Sequence, residues 1–426
     1  MLVNILREYN INRIFLSCLG LWPFQRKLAR CLLPMFYFVF EISYLPLEIR
    51  TLYMHRHNKQ MIFECLYQIS VTLAFLVKLL NQLWYRSKFQ HLYETMENHW
   101  NIFTNELEVQ IMKTYSAIAH KFSVSYSILV YVMMSMFIII PSLGPMLLDI
   151  VLPLNESRPR HFAVYAEYGV DQNKYFVEIF LYTTIMITIG ISIMVSVDTM
   201  HVACTAHACG LFQIVGQQIE NIISHVHEVN EIGYHANTEY ELFNEKIIYR
   251  KYIVCLKKHQ LALQYVDILN DTHKIVGISF SLLLGAVFSL IGIRIVYVLD
   301  QVEEMIRFTF IIMGALLQLM IACYSGQKLM DESQNIFHQT YAAEWYKFSP
   351  RLKSLLIITL YRSIVPCKLT AGNLFPLSMT LFAAVSIRIC KNYITIYTGN
   401  SLCVPVRFKV VRTSVSYFTA FLSLKD

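Results

Sequence analysis

Six stretches of about 20 mostly apolar residues recur along this chain, at 31–49, 61–80, 124–148, 176–200, 275–299 and 306–324. Roughly 20 residues of helix cross the ~30 Å hydrocarbon core of a bilayer. Within lipid every backbone N–H and C=O must be satisfied inside the protein, so stretches of this length span as helices. Composition agrees: 56% of the 426 residues are hydrophobic and only 15% are charged. That is too little polar surface to cover a water-soluble enzyme of this size. A seventh, weaker apolar region covers 374–385 and 415–424, with polar residues between its halves. The expected fold is an all-α membrane protein with seven transmembrane helices. No period of 20–50 residues marks an internal repeat.

Basic residues in short loops orient such a bundle, because they stay on the cytoplasmic side. With the N-terminus inside, the inner segments hold Arg7, Arg13, Arg26, Lys27 and Arg30, then Arg86, Lys88, Lys113 and Lys121. They also hold Lys246, Arg250, Lys251, Lys257 and Lys258, then Lys328, Lys347 and Arg351. The outer loops hold Arg56 and Lys59, then Arg158, Arg160 and Lys174. The bias is strong, and it predicts a cytoplasmic N-terminus and, after seven spans, an extracellular C-terminus. That is the reverse of a G-protein-coupled receptor. The sequon Asn155-Glu156-Ser157 falls in a loop this topology places outside, which makes Asn155 a glycosylation candidate. The N-terminal residues lack the pattern of a cleaved signal peptide, so the first span is expected to act as a signal anchor. Ten cysteines are scattered and none forms CxxC, which argues against a zinc site or redox pair.

The connection 201–274 is long, but patterned. Leu211, Ile214, Val215, Gln218 and Ile219 recur at helical spacing, as do Ile222, Ile223 and Val226. Tyr249, Ile253, Leu256, Leu263, Val266 and Leu269 form another stripe. These predict cytoplasmic helices that extend the neighbouring spans and pack within the chain or between subunits. Charges at membrane depth are costly. Glu41 lies mid-span and calls for a buried partner; Lys78 is expected to snorkel, and Glu178 and Asp198 to reach the interfaces. Gly277, Ser281, Gly285 and Ser289 make a small-residue face suited to helix packing. His201, His207, His225 and His227 are expected to be solvated rather than metal-bound. No GxSxG, HExxH, GxxxxGK[ST], dinucleotide loop or basic-aromatic nucleic-acid face occurs. The expectation is therefore neither an enzyme nor a nucleic-acid binder, with no cofactor.

The last third carries more specific signals. Cys323-Tyr324-Ser325-Gly326-Gln327, Glu332-Ser333-Gln334 and the run 341–345 resemble the end of the sixth span and the next helix of insect odorant receptors. Ala371-Gly372-Asn373-Leu374-Phe375-Pro376-Leu377-Ser378 and Thr413-Ser414-Val415-Ser416-Tyr417-Phe418 resemble that family's closing segments. Gustatory receptors, the related alternative, usually close in Gln-Phe; here no Gln follows. A multi-span transporter is a further alternative, but no paired Gly/Pro-broken spans or inverted repeat supports it. The resemblance implies a ligand-tuning subunit that joins the olfactory co-receptor in a heterotetramer around one non-selective cation pore. The implied ligand is a volatile odorant, and the implied site is the plasma membrane of olfactory neuron dendrites. It divides the chain into a cytoplasmic N-terminus (1–30), six spans with a ligand pocket (31–324), an anchor helix (325–370) and a last, pore-lining span (371–426). Expected pore-lining residues are Ser378, Phe382, Val411 and Ser414.

A volatile ligand needs an apolar, aromatic-rich cavity with few polar groups. Candidates in the outer half of the bundle are Phe63, Tyr67, Met134, Phe137, Phe180, Thr183, Tyr297, Phe308 and Ile312, whose spacings of three or four pair residues on one helix face. The last span departs from the family pattern. Residues 385–409 hold Arg388, Lys391, Arg407 and Lys409 and separate two apolar halves, each too short to cross alone. Removing those 25 residues joins the halves into one span. Val385-Ser386 can be encoded by GTAAGT and Lys409 by AAG, the edges of an intron, so the segment reads as a translated intron. A genuine insertion is the alternative.

Overall fold

The computed structural model describes residues 3–151, 162–172, 174–232, 238–298, 301–342, 345 and 348–399. Its helices are α1 Val3–Glu8, α2 Asn10–Cys18, α3 Lys27–Ile42, α4 Leu45–Met54, α5 Lys59–Trp84, α6 Arg86–Ile102 and α7 Glu106–Val151. They continue with α8 Phe176–Ile232, α9 Thr238–Tyr297, α10 Val302–Tyr341, α11 Pro350–Ser363 and α12 Met379–Gly399. A two-residue hairpin, β1 Thr370–Ala371 and β2 Phe375–Pro376, precedes α12. The fold is an all-α membrane bundle. Among the described residues six helical segments are long and apolar enough to cross a bilayer, and Met379–Ile389 is a shorter apolar one.

The first span is broken at Ser43 and Tyr44, because Pro46 has no N–H to donate and its ring crowds the carbonyl four residues back. Its outer face leaves Leu28, Leu32, Met35, Phe36 and Val39 exposed, the composition of a lipid-facing stripe. The fourth to sixth spans run on past any bilayer thickness. At 1.5 Å per residue, 57 residues of α8 and 60 of α9 are far longer than a bilayer is thick. The connection 201–274 is thus almost wholly helical in its described part. Leu211, Ile214, Val215 and Ile219 are buried, as their spacing predicts. In α9 the buried face is Ile248, Tyr252, Cys255, Ala262, Tyr265, Val266 and Leu269; the expected stripe holds at Val266 and Leu269, while Tyr249 is exposed, one position off it. The side chains of Ile223, Val226, His225 and His227 lie outside the described residues.

These extensions pack with α1, α2, α6 and α11 into the largest core of the molecule. The Glu97 carboxylate accepts from the Asn4 and Ile5 backbone N–H groups at 3.1 and 2.9 Å, which caps the N-terminus of α1. His207, expected to be solvated, is buried at its centre, stacked on His99 (5.4 Å) with ring nitrogens 3.2 Å apart. His201 packs on the His273 ring at 4.3 Å. Solvation fails because both histidines face neighbouring helices rather than water. Burial lowers the His99 pKa to about 4. A folded value below the ordinary ~6.5 gives a contribution to stability that is complete above about pH 6.5 and lost as pH falls toward 4. The melting temperature in detergent should therefore drop between pH 7 and pH 5, and less steeply in His99→Phe.

The C-terminal motifs have a structural reading. Ala371-Gly372-Asn373-Leu374 is a β-turn with Leu374 N–H on the Ala371 carbonyl, inside a hairpin whose register pairs Ala371 with Phe375. Gly372 and Asn373 both have φ near +60°, the requirement of a type I′ turn. The hairpin docks on α9: Gly372 N–H donates to the Lys274 carbonyl, and Gly277, first of the small-residue face, lies against Ala371. On the other side the Gln327 side chain accepts from Met379 N–H at 3.3 Å, and the Ser333 hydroxyl accepts from Cys367 N–H at 2.9 Å. Gly326 lets the chain pass: a Cβ there would stand 2.2 Å from the Leu377 carbonyl oxygen. Gly326→Ala should force α10 from the hairpin at a cost of about 1–3 kcal/mol. A lowered melting temperature by fluorescence-detected size exclusion, with Ser325→Ala near wild type, would show it.

Candidate functional site

A cavity of about 210 Å³ lies among α4, α5, α7, α8, α9 and α10. Its wall on α5 is Tyr67, Val71 and Phe75, residues four apart on one face, with Gln68 and Thr72 beside them. Across from it stand Val130, Met134 and Phe137 of α7, Met186, Ile191 and Met194 of α8, Phe280 and Leu284 of α9, and Gly314 and Ala315 of α10. Methionines and aromatics make such a wall adaptable in shape. Gly190 makes room for Phe75, since a Cβ there would meet the ring at 2.3 Å. Gly314 faces open space.

Buried ion networks bracket the cavity. At the end nearest the α4–α5 and α9–α10 turns, Glu64 accepts from Arg294 Nε (3.0 Å), Arg307 Nη2 (2.6 Å), Tyr67 Oη (2.9 Å) and Gln68 Nε2 (3.2 Å). At the opposite end Lys78 donates to Asp198 (2.6 Å) and to Gln318 Oε1 (3.0 Å), and Gln318 donates to Tyr126. Lys78 is 4% exposed and does not snorkel, and Asp198 pairs with it instead of reaching an interface. The reason is mutual: each supplies the counter-charge that the other lacks inside the bundle. Glu41 is fully buried, yet among the described residues neither of its oxygens has a hydrogen-bond partner, so the expected buried partner is not found there.

Of the nine expected ligand residues, Tyr67, Met134 and Phe137 line the cavity. The others do not. Phe63 stacks on Tyr297 (6.4 Å) and Phe308 meets Tyr67 edge-on (5.8 Å), forming an aromatic layer above it. Phe180 stacks on Phe176, and the Thr183 hydroxyl bonds back to the Ile179 carbonyl. Ile312 packs between two apolar clusters, its neighbours Ile311 and Gly314 facing inward. The cavity lies one to two turns deeper than expected on α5 and α8 and is turned by one residue on α10. The signal was present: Tyr67 plus four and plus eight gives Val71 and Phe75. Among the described residues no three His, Cys, Asp or Glu side chains converge as metal ligands.

Of the expected pore residues, Ser378 is on the buried side of α12, where its hydroxyl caps the first turn through Leu381 N–H, and Phe382 is half-buried. The exposed face holds Met379, Thr380, Ala383 and Ile387. Val411 and Ser414, and the sequon at Asn155, lie outside the described residues. Helix α12 continues unbroken past Val385, where an interruption was expected, and Val385 and Ile389 extend the buried stripe begun by Leu381.

The family profile described as "7tm Odorant receptor" matches residues 59–386. Odorant receptor Or2 of Anopheles gambiae is 23% identical over 202 residues, 46% of this chain and 50% of that one. Odorant receptor 85f of Drosophila melanogaster is 30% identical over 135 residues, 31% and 34% of the two chains. The matched region spans half or less of these relatives' length. Among solved structures, the insect olfactory receptor OR5 from Machilis hrabei in complex with eugenol aligns with TM-score 0.71 at 13% identity, covering 93% of this chain and 99% of that one. At that identity the likeness is one of fold, while the profile match, which covers most of the chain, is one of descent. With that profile match over a bundle of apolar helices, this chain belongs to the insect odorant receptor family.

Proposed function

We propose that the chain is the ligand-binding subunit of an odorant-gated, non-selective cation channel, formed with the olfactory co-receptor in the dendritic plasma membrane. The observation that carries this reading is the almost wholly apolar cavity among the spans. The related OR5 structure was solved with eugenol, a small aromatic volatile. An odorant opens a pore only by binding the open state better than the closed one, and a cavity walled by six helices is placed to feel their movement. The basic-residue bias supports an inner N-terminus. The exposed stripe Met379, Ala383 and Ile387 is the face of α12 available to a pore between subunits.

The experiment is thermal stabilisation of the purified protein by a panel of volatiles. Binding raises the melting temperature by mass action. Gly314→Leu places a side chain in the cavity where the native backbone leaves open space. It should abolish the ligand-induced shift while leaving the unliganded melting temperature near wild type. An undiminished shift would exclude this cavity. An antibody to a C-terminal tag should stain unpermeabilised cells, and one to an N-terminal tag should not. Loss of a glycosidase-sensitive gel shift in Asn155→Gln would verify the loop assignment.

A further inference from the structure

Apart from Gln318 at its far end, the cavity's polar lining is one patch of Tyr44, Glu48, Gln68 and Thr72, and two acceptor oxygens in that patch have no donor. Glu48 is 1% exposed and lines the cavity; its Oε1 accepts from the Thr72 hydroxyl at 3.3 Å, and its Oε2 has no partner. Gln68, 4% exposed, lies one turn from Thr72 on α5 and lines the same cavity. Its amide nitrogen donates to the Glu64 carboxylate, which fixes the amide orientation, and its Oε1 has no partner. Tyr44, one turn before Glu48, adds a phenolic oxygen, and the rings of Tyr44, Tyr67 and Phe75 border the patch. Among the described residues no basic side chain pairs with Glu48, nor with the fully buried Glu41 two turns back. Every other carboxylate at the cavity's ends has its cation: Glu64 has Arg294 and Arg307, and Asp198 has Lys78.

A buried carboxylate without a counter-charge is costly, and so is an amide oxygen without a donor. A ligand that repairs both must bring several N–H donors and a positive charge on a small apolar body. An alcohol brings one donor and no charge; an ester or ketone brings none. A primary ammonium brings three donors, and aromatic faces favour it further. Taking the cavity as the ligand site, as proposed above, we infer that it is built for a small volatile primary amine, whose nitrogen binds between Glu48 Oε2 and Gln68 Oε1 and whose hydrocarbon part fills the space toward Phe280 and Ala315.

Three probes with one carbon skeleton test this: 2-phenylethylamine, 2-phenylethanol and ethylbenzene, titrated calorimetrically into the full-length protein in lipid nanodiscs. The amine should bind at least tenfold more tightly than the alcohol, and ethylbenzene most weakly. Glu48→Gln, close to isosteric, should weaken the amine tenfold or more and leave ethylbenzene within twofold. Gln68→Leu should weaken the amine less. Amine affinity equal to or below that of ethylbenzene, or unchanged in Glu48→Gln, overturns the assignment. Should Glu48→Gln fail to fold, the head-group series on the wild type and Gln68→Leu still decide. Gly314→Leu separates the two readings. If it abolishes ethylbenzene binding while the amine shows no preference, the cavity stands and the amine falls; if ethylbenzene binding survives it, the cavity reading itself fails.

Discussion

Deleting residues 385–409 is expected to turn a chain that carries little odour-evoked current with the co-receptor into one that carries robust current. The argument runs through α12. In this chain the helix continues from Met379 to Gly399 and carries Arg388 and Lys391 about its middle. The family match stops at residue 386, next to the start of 385–409. On the reading of 385–409 as a translated intron, that segment carries the Thr413–Phe418 motif 25 residues further along the chain. Deletion joins Ala384 to Val410, so Val410 takes the buried place of Val385 without loss of volume, and Arg412 falls at the exposed place of Ile387. The joined stretch from Met379 to Leu424 is then 21 residues, about 31 Å of helix, enough to span. Whole-cell recording of both forms measures the effect. Equal currents would mean that the segment is tolerated. Sequencing antennal transcripts addresses its origin: if every mature message contains it, it is not an intron.

The bundle was legible because its signal is a matter of length and apolarity, which survive any rotation of a helix. The six spans follow from that, and so does the buried face Leu211–Ile219, whose four-residue period had only one way to pack. Depth and rotation were not legible. Phe63 and Phe180 are as aromatic as Phe75 and Phe280, and only the packing of α5 against α9 and α10 decides which of them border open space. Nor could sequence pair charges across the fold: Lys78 and Asp198 lie 120 positions apart, and each alone looks like an interface residue. Glu48 was missed because it follows Pro46 near the end of the first span, where a carboxylate reads as a solvent-facing terminus. The break at Ser43 and Tyr44 turns it inward instead.

Lys78→Met should be among the most damaging single substitutions in the molecule, at about 3–5 kcal/mol. The lysine is 5% exposed by its side chain and Asp198 16%, so removing the cation leaves a carboxylate largely shut from water. Its remaining help is a long contact from Tyr126 Oη, at 3.4 Å. Gln318 also loses the donor that holds its carbonyl oxygen, and with it the fixed end of the cavity. Removing both charges has a different outcome. Lys78→Met with Asp198→Asn leaves no bare ion, keeps an amide for Tyr126 to bond, and should recover most of the lost stability, since a buried pair replaced as a unit is often close to neutral. Melting temperatures of the two single variants and the double variant in detergent complete the cycle. Additive losses, with the double variant worse than either single, would mean that the two side chains do not act as a pair. Recovery of stability without recovery of ligand-induced stabilisation would locate the remaining defect at Gln318, where the ion network meets the cavity wall.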